Sequence, residues 1–160
     1  MAYFPIPRKH APTFIRLAVA GLTLSLISQN AELIRDLDFQ AGDWRFNLNQ
    51  IGLFWLTLLA PGFCLCALWS TADVFAGLER GDGFGPVLVK GLRNVGSNLL
   101  WAAAASVVIV PTLTAWVSDR FGGFHYNADI TAVTIGALGL TLWLVAGTGE
   151  KMRREMESFV

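Results

Sequence analysis

Long uncharged stretches, made mostly of apolar residues, dominate the pattern of this chain. Three of them are 27, 25 and 20 residues long and run from Phe46 to Ala72, Asn94 to Ser118 and Ile130 to Gly149. A bilayer core is about 30 Å thick, and a helix of roughly 20 apolar residues crosses it. The pattern therefore predicts an all-α integral membrane protein with at least three spanning helices.

A fourth uncharged stretch is shorter, with 15 residues from Leu17 to Ala31. If the Arg16 guanidinium reaches the headgroups, the apolar span begins near Pro12 and is long enough to cross. An interfacial helix and a cleaved signal peptide are the alternatives, but a small-x-small cleavage pattern is missing at the end of this stretch. We predict a single domain over 1–160, a four-helix bundle with spans at about 12–31, 48–77, 95–118 and 129–148.

The basic residues indicate how such a bundle is oriented. Hydrophobic residues make up 54% of the chain and charged residues only 15%, below the roughly 25% charge of soluble domains. Four spans place both termini on one side, together with nine of the twelve basic residues: Arg8, Lys9, Arg16, Arg80, Lys90, Arg93, Lys151, Arg153 and Arg154. The positive-inside rule then predicts that both termini are cytoplasmic.

Little in the predicted spans can perform chemistry. Ionisable side chains are missing from the middle of every span, which argues against a pump or an ion-coupled transporter. Cys64 and Cys66 lie two apart on one helix and point away from each other, and His10 and His125 are predicted on opposite sides. We therefore expect no enzyme activity, no cofactor and no metal site. Because the net charge is zero, we also expect no direct binding of nucleic acid.

Small residues and prolines indicate how the helices pack. Close approach of two helices is favoured by Gly21-x-x-x-Ser25, by Ala132-x-x-x-Gly136 and by the run Ala102 to Ser106. They serve packing within the bundle or, alternatively, a homo-oligomer. Pro61 and Pro111 lie inside predicted spans and are expected to kink them.

The link between the second and third spans carries the most specific pattern. Three glycines permit a tight turn around Phe84, and we predict that the Phe84 ring packs onto the bundle. Pro86 then begins a short amphipathic helix that feeds the third span, with Lys90 and Arg93 on its polar side. The spacing of the glycines matches neither of the common phosphate-binding loops, so a nucleotide site is not expected. Contact of the two basic side chains with lipid phosphates is the simplest role for this helix.

Through this link the chain resembles the DUF2975 family of small four-helix bacterial membrane proteins. The family carries a Gly-Asp-x-Phe step, a proline two residues later and a Leu-Arg-x-x-Gly step. The matching residues here are Gly81, Asp82, Gly83, Phe84, Pro86, Leu92, Arg93 and Gly96. The family's charged tail with a closing hydrophobic pair is matched by Glu155, Glu157, Ser158, Phe159 and Val160.

The resemblance implies a bacterial inner-membrane protein that modulates or sequesters a small cytoplasmic helix-turn-helix transcription regulator. This rests on association and not on chemistry read from the residues. An accessory or assembly subunit of a larger membrane complex is the alternative. The expected partner-binding residues are Asp82, Phe84, Lys90, Arg93, Arg153 and Arg154.

Overall fold

The computed structural model describes residues 11–35, 44–80, 84–117 and 123–157. Its elements are α1 (Ala11–Arg35), α2 (Trp44–Glu79), α3 (Phe84–Ala104), a π-helical turn (Ala105–Ile109), α4 (Val110–Val117) and α5 (Ile130–Glu157). The π-helical turn joins α3 to α4 without a break, and we call this continuous element the α3–α4 rod. The rod and the other three helices are each long and apolar enough to cross a membrane. The predicted all-helical architecture with four such helices is confirmed.

The link between α2 and α3 differs from the prediction of a separate short helix. The amphipathic stretch from Pro86 onward is the first part of α3, which continues to Ala104 without interruption. Pro86 lies in the first turn of this helix, where its missing N–H costs no hydrogen bond. The charged tail is also part of a helix, because α5 extends to Glu157 and not only to residue 148.

The helices pack in the order in which they follow along the chain. Within the described residues, extensive contacts join α1 to α2, α2 to the α3–α4 rod, and that rod to α5. In the described part of the chain, eight of the ten buried hydrophobic residues are alanines, and the other two are Val19 and Phe54. The core is therefore formed by close approach of helix backbones, which is how small residues stabilise helix pairs in lipid.

Helices α3 and α5 cross with their backbones in close contact. A Cβ atom built on Gly96 would lie 2.7 Å from the Gly139 carbonyl oxygen, and one built on Gly139 would lie 2.9 Å from the Gly96 carbonyl oxygen. Gly136 faces Ala103 at the same interface. The small residues of Ala132-x-x-x-Gly136 and of the run from Ala102 thus serve packing within the chain.

The small pair on α1 behaves differently. Gly21 and Ser25 are exposed, and a Cβ atom on Gly21 would meet only open space. The expectation that this pair packs within the bundle is therefore wrong. It failed because α1 contacts α2 through another of its faces.

The two central elements, α2 and the α3–α4 rod, are longer than the two outer helices, α1 and α5. The Thr57 hydroxyl of α2 donates to Asn30 Oδ1 of α1 at 3.3 Å, which places these two residues at one level. From this level α1 continues for five residues to its end, and α2 extends thirteen residues back to its start. At 1.5 Å per residue, α2 rises about 12 Å above the end of α1. Val107 of the α3–α4 rod bonds to Asn127, just before α5 begins, so these residues lie at one level. The rod continues for ten residues beyond Val107, to Val117 at the end of α4. Here the end of α4, the start of α2 and the segment before α5 form one end of the molecule, which we call the strap end.

Candidate functional site

Charged side chains of α3 and α5 meet around one carboxylate at the other end of the molecule, which we call the basic end. The Arg154 Nη2 atom donates to Glu150 Oε1 at 2.6 Å, and Arg93 Nη1 lies 3.6 Å from Glu150 Oε2. Arg154 and Glu150 are four residues apart on α5, a spacing that places them on one helix face. The Arg93 contact crosses to α3, so Glu150 ties the two helices together at this end.

Lys90 lies one turn before Arg93 on α3 and is exposed. It lines two hollows: one of about 230 Å³ shared with Arg93 and Glu150, and one of about 390 Å³ shared with Asp73 and Asn94. Its ammonium group is thus available to a partner between the two hollows. The basic end combines three basic side chains with Glu150, and its local charge is positive.

The structure brings together Lys90, Arg93 and Arg154 of the six predicted partner-binding residues. Asp82 lies outside the described residues. Phe84 begins α3 and Arg153 lies in α5, but their side chains are also outside the description, so the docking of Phe84 stays a prediction. Sequence reasoning missed the central role of Glu150. Its four-residue spacing to Arg154 was a visible signal, whereas its contact with Arg93 requires knowledge of how α3 and α5 cross.

A second ionic contact at the basic end holds α1. Arg16 Nη2 donates to Asp73 Oδ1 of α2 at 3.0 Å, and the Arg16 guanidinium carbon lies 5.3 Å from the centre of the Trp69 ring. The sequence suggested that Arg16 extends to the lipid headgroups. In the structure the guanidinium is bonded to a carboxylate and lies near an aromatic face, which reduces the cost of placing it in an apolar helix. That it also reaches the headgroups stays a prediction.

The strap end is built around Pro111. Proline has no N–H, so a helix containing it leaves a carbonyl of the preceding turn without its donor. The Val107 carbonyl, four residues earlier, accepts the backbone N–H of Asn127 at 2.9 Å. The Thr112 hydroxyl donates to the His125 carbonyl at 2.8 Å. Residues 123–129, which we call the strap, are thus bound along the α3–α4 rod.

Beneath the strap lies a cavity of about 700 Å³ between α2 and the α3–α4 rod. Pro61 of α2 and Pro111 of α4, the two prolines predicted to kink the spans, line it. Its polar lining consists of Thr57, Ser106, Thr114, His125, Tyr126 and Asn127. Such a lining can bind a ligand through hydrogen bonds.

Neither region forms a metal centre. Within the described residues, no group of three or more His, Cys, Asp or Glu side chains is close enough to hold a metal ion. His125 is exposed, and its Nδ1 atom lies 3.3 Å from the Gly123 carbonyl oxygen. The basic end can bind charged partners and the cavity can bind uncharged ones.

Comparison with known proteins gives no family for this chain. It matches no protein-family model, no curated protein and no solved structure. The resemblance to DUF2975 therefore stays a prediction, and the two sites above are interpreted from their own residues.

Proposed function

We propose that this protein is a non-enzymatic, multi-pass interaction protein of the bacterial inner membrane. Its basic end faces the cytoplasm and binds a small helix-turn-helix transcription regulator, which it modulates or sequesters. The observation that carries the proposal is the group of Lys90, Arg93 and Arg154 around Glu150 on two helices that cross tightly. Rigid helices hold these charges in a fixed pattern, which favours selective recognition of an acidic surface.

The three basic residues have different roles in this proposal. Arg93 and Arg154 are held by Glu150, so part of their charge is neutralised within the chain. Lys90 is exposed and lies between two hollows. Lys90 is therefore the residue that contacts the partner most directly, while the two arginines shape the surface around it.

Replacing Lys90 by glutamate should weaken binding of the cytoplasmic regulator by about tenfold, since charged contacts at an interface contribute on the order of 1–2 kcal/mol. The matched control is Lys151→Glu, which makes the same charge change at an exposed position of the same end. Both variants are expected to be inserted and to melt as the parent protein does. Affinity purification in mild detergent with mass spectrometry identifies the partner, and transcript levels of the regulator's own operon report the effect.

Two outcomes would contradict the proposal. Equal losses of regulator binding for Lys90→Glu and Lys151→Glu would indicate that the total charge of the basic end, and not the position of Lys90, governs contact with lipid or partner. Recovery of no DNA-binding protein with the parent chain would remove the regulator from the proposal.

The orientation can be tested separately with single cysteines in a Cys64→Ala, Cys66→Ala background. Phe124→Cys lies in the strap and Met152→Cys near the basic end, and both parent side chains are strongly exposed. The excess of basic residues at the basic end predicts that it is cytoplasmic. In intact cells an impermeant thiol reagent should label Phe124→Cys and leave Met152→Cys unlabelled until the cells are opened. The reverse pattern would invert the topology.

An accessory subunit of a larger membrane complex is the second candidate function. Among the described residues, extensive contacts join only helices that follow one another in the chain, so α1 and α5 present broad apolar faces. Exposed residues on these faces include Leu17, Leu24, Leu138 and Leu144. Lipid or further membrane helices can cover such faces. Co-purification with large membrane subunits, unaffected by Lys90→Glu, would favour this function.

A further inference from the structure

Three interruptions of regular helix lie around the cavity at the strap end. Pro61 interrupts the hydrogen bonds of α2, and Pro111 does the same in α4, directly after the π-helical turn Ala105–Ile109. Helix interruptions of this kind release backbone carbonyls, and at membrane depth they are tolerated where the backbone is buried in protein or lines a cavity. The π-helical turn is itself a feature that occurs often at functional sites. All three meet at the cavity.

Two of the hydroxyl groups that line the cavity, those of Ser106 and Thr114, can still form hydrogen bonds with a ligand. Elsewhere in the helices, hydroxyls bond back to their own backbone, as Thr134 does to Ile130 at 2.7 Å and Thr141 to Ala137 at 2.8 Å. The side-chain hydroxyls of Ser106 and Thr114, by contrast, make no hydrogen bond within the described part of the chain. A ligand in the cavity would find donors and acceptors that are not already engaged.

The residues that line the cavity also indicate that its ligand is uncharged. None of the described residues that line the cavity is an acid, a lysine or an arginine. Among these described residues a charged ligand would find no carboxylate, ammonium or guanidinium group to compensate for its lost hydration, which is costly. A volume of about 700 Å³ lies within the range of small-molecule sites, which is roughly 300–1,000 Å³.

We propose that this cavity is a binding site for an uncharged, hydroxyl- or carbonyl-bearing small molecule, or for the uncharged headgroup of a lipid, with the strap as its gate. The ligand exchanges hydrogen bonds with Ser106 and Thr114 and packs against the two proline rings. The proposal is independent of the proposed partner binding, because the cavity lies at the opposite end of the helices from the basic end.

The strap is attached in a way that suits a gate. Its described hydrogen bonds to the α3–α4 rod are those of Asn127 to Val107 and of Thr112 to His125. Two hydrogen bonds contribute on the order of 1–3 kcal/mol together. The cavity already has an open side, and breaking these two hydrogen bonds would widen access to it from the strap end without disturbing the crossing of α3 and α5.

The experiment measures how fast N-ethylmaleimide alkylates Ser106→Cys in the full chain, in detergent and in a Cys64→Ala, Cys66→Ala background. Glycerol and monoolein are the uncharged probes, one soluble and one a lipid, and oleate is a charged probe with the same acyl chain as monoolein. We expect saturable protection of about fivefold at a probe concentration of roughly four times its Kd, because the free fraction of the site falls by a factor of one plus the ratio of the probe concentration to Kd. Thr141→Cys, an exposed position of α5, is the matched control and should not be protected.

The pattern of protection distinguishes a soluble ligand from a lipid headgroup, or shows that the cavity is not a binding site. Protection by both glycerol and monoolein identifies a soluble uncharged ligand, and protection by monoolein alone identifies a lipid headgroup. Equal protection by oleate, or protection by neither uncharged probe, overturns the proposal.

Thr114→Val should abolish most of the protection without changing the melting temperature. Thr112→Val should speed alkylation of Ser106→Cys by loosening the strap, and an unchanged rate would show that the strap is not a gate.

Discussion

Replacing Gly139 by alanine should destabilise the protein by about 1–3 kcal/mol, the usual cost of forcing a methyl group into a filled space. The added Cβ atom would lie 2.9 Å from the Gly96 carbonyl oxygen and equally close to the Leu100 backbone nitrogen. Both neighbours are backbone atoms, so no side-chain rotation relieves the overlap. Helices α3 and α5 would have to move apart along their length.

The matched control for this prediction is Gly147→Ala. Gly147 lies two turns further along α5, is exposed, and a Cβ atom there meets only open space. The melting temperature in detergent should fall for Gly139→Ala and stay or rise for Gly147→Ala, because alanine favours helix over glycine. Gly96→Ala should reproduce the loss. Equal melting temperatures for Gly139→Ala and Gly147→Ala would mean that α3 and α5 are not in close contact at Gly139.

The helices themselves could be predicted from the sequence because their signal is local. An uncharged stretch of about 20 residues needs no partner to be recognised. The crossing at Gly139 is not local in this sense. The sequence indicated Ala132-x-x-x-Gly136 and the run from Ala102, but α5 has four glycines up to Gly149, and only the packing shows which of them face α3.

The hydrogen bonds at the strap end could not be predicted from the sequence, for a related reason. Pro111 predicted an interruption, yet the donor that replaces the lost hydrogen bond comes from Asn127, sixteen residues away in a segment without periodicity. The basic end was easier, because Lys90 and Arg93 lie on the polar side of a visibly amphipathic stretch. Even there, Glu150 was missed as the residue that links α3 to α5.

Helix α1 is the element whose attachment rests most on polar contacts. Its described hydrogen bonds and ion pairs to α2 are those of Arg16 with Asp73 and of Asn30 with Thr57, and Val19 is its main buried hydrophobic residue. Its stretch of 15 uncharged residues is also the shortest of the four. Polar contacts between membrane helices contribute on the order of 1 kcal/mol each. The loss of one such contact should therefore release α1 before any other helix.

Asp73→Ala should show this, with a loss of about 1–2 kcal/mol and partial detachment of α1, because the Arg16 guanidinium loses its carboxylate. Alkylation of Val19→Cys, which is buried against α2 in the parent chain, should accelerate, while that of the exposed Leu17→Cys should not change. Both are measured in a background without native cysteines.

The charge swap Arg16→Asp with Asp73→Arg separates electrostatics from packing. It restores an ion pair between α1 and α2 but removes the guanidinium from its place 5.3 Å from the Trp69 ring. We therefore expect part of the lost stability to return, less the roughly 0.5–1 kcal/mol that a cation–π contact contributes at an exposed site. Protection of Val19→Cys should return in parallel. If the swap is no more stable than Asp73→Ala, the ion pair does not hold α1, and its attachment must come from apolar contacts with α2.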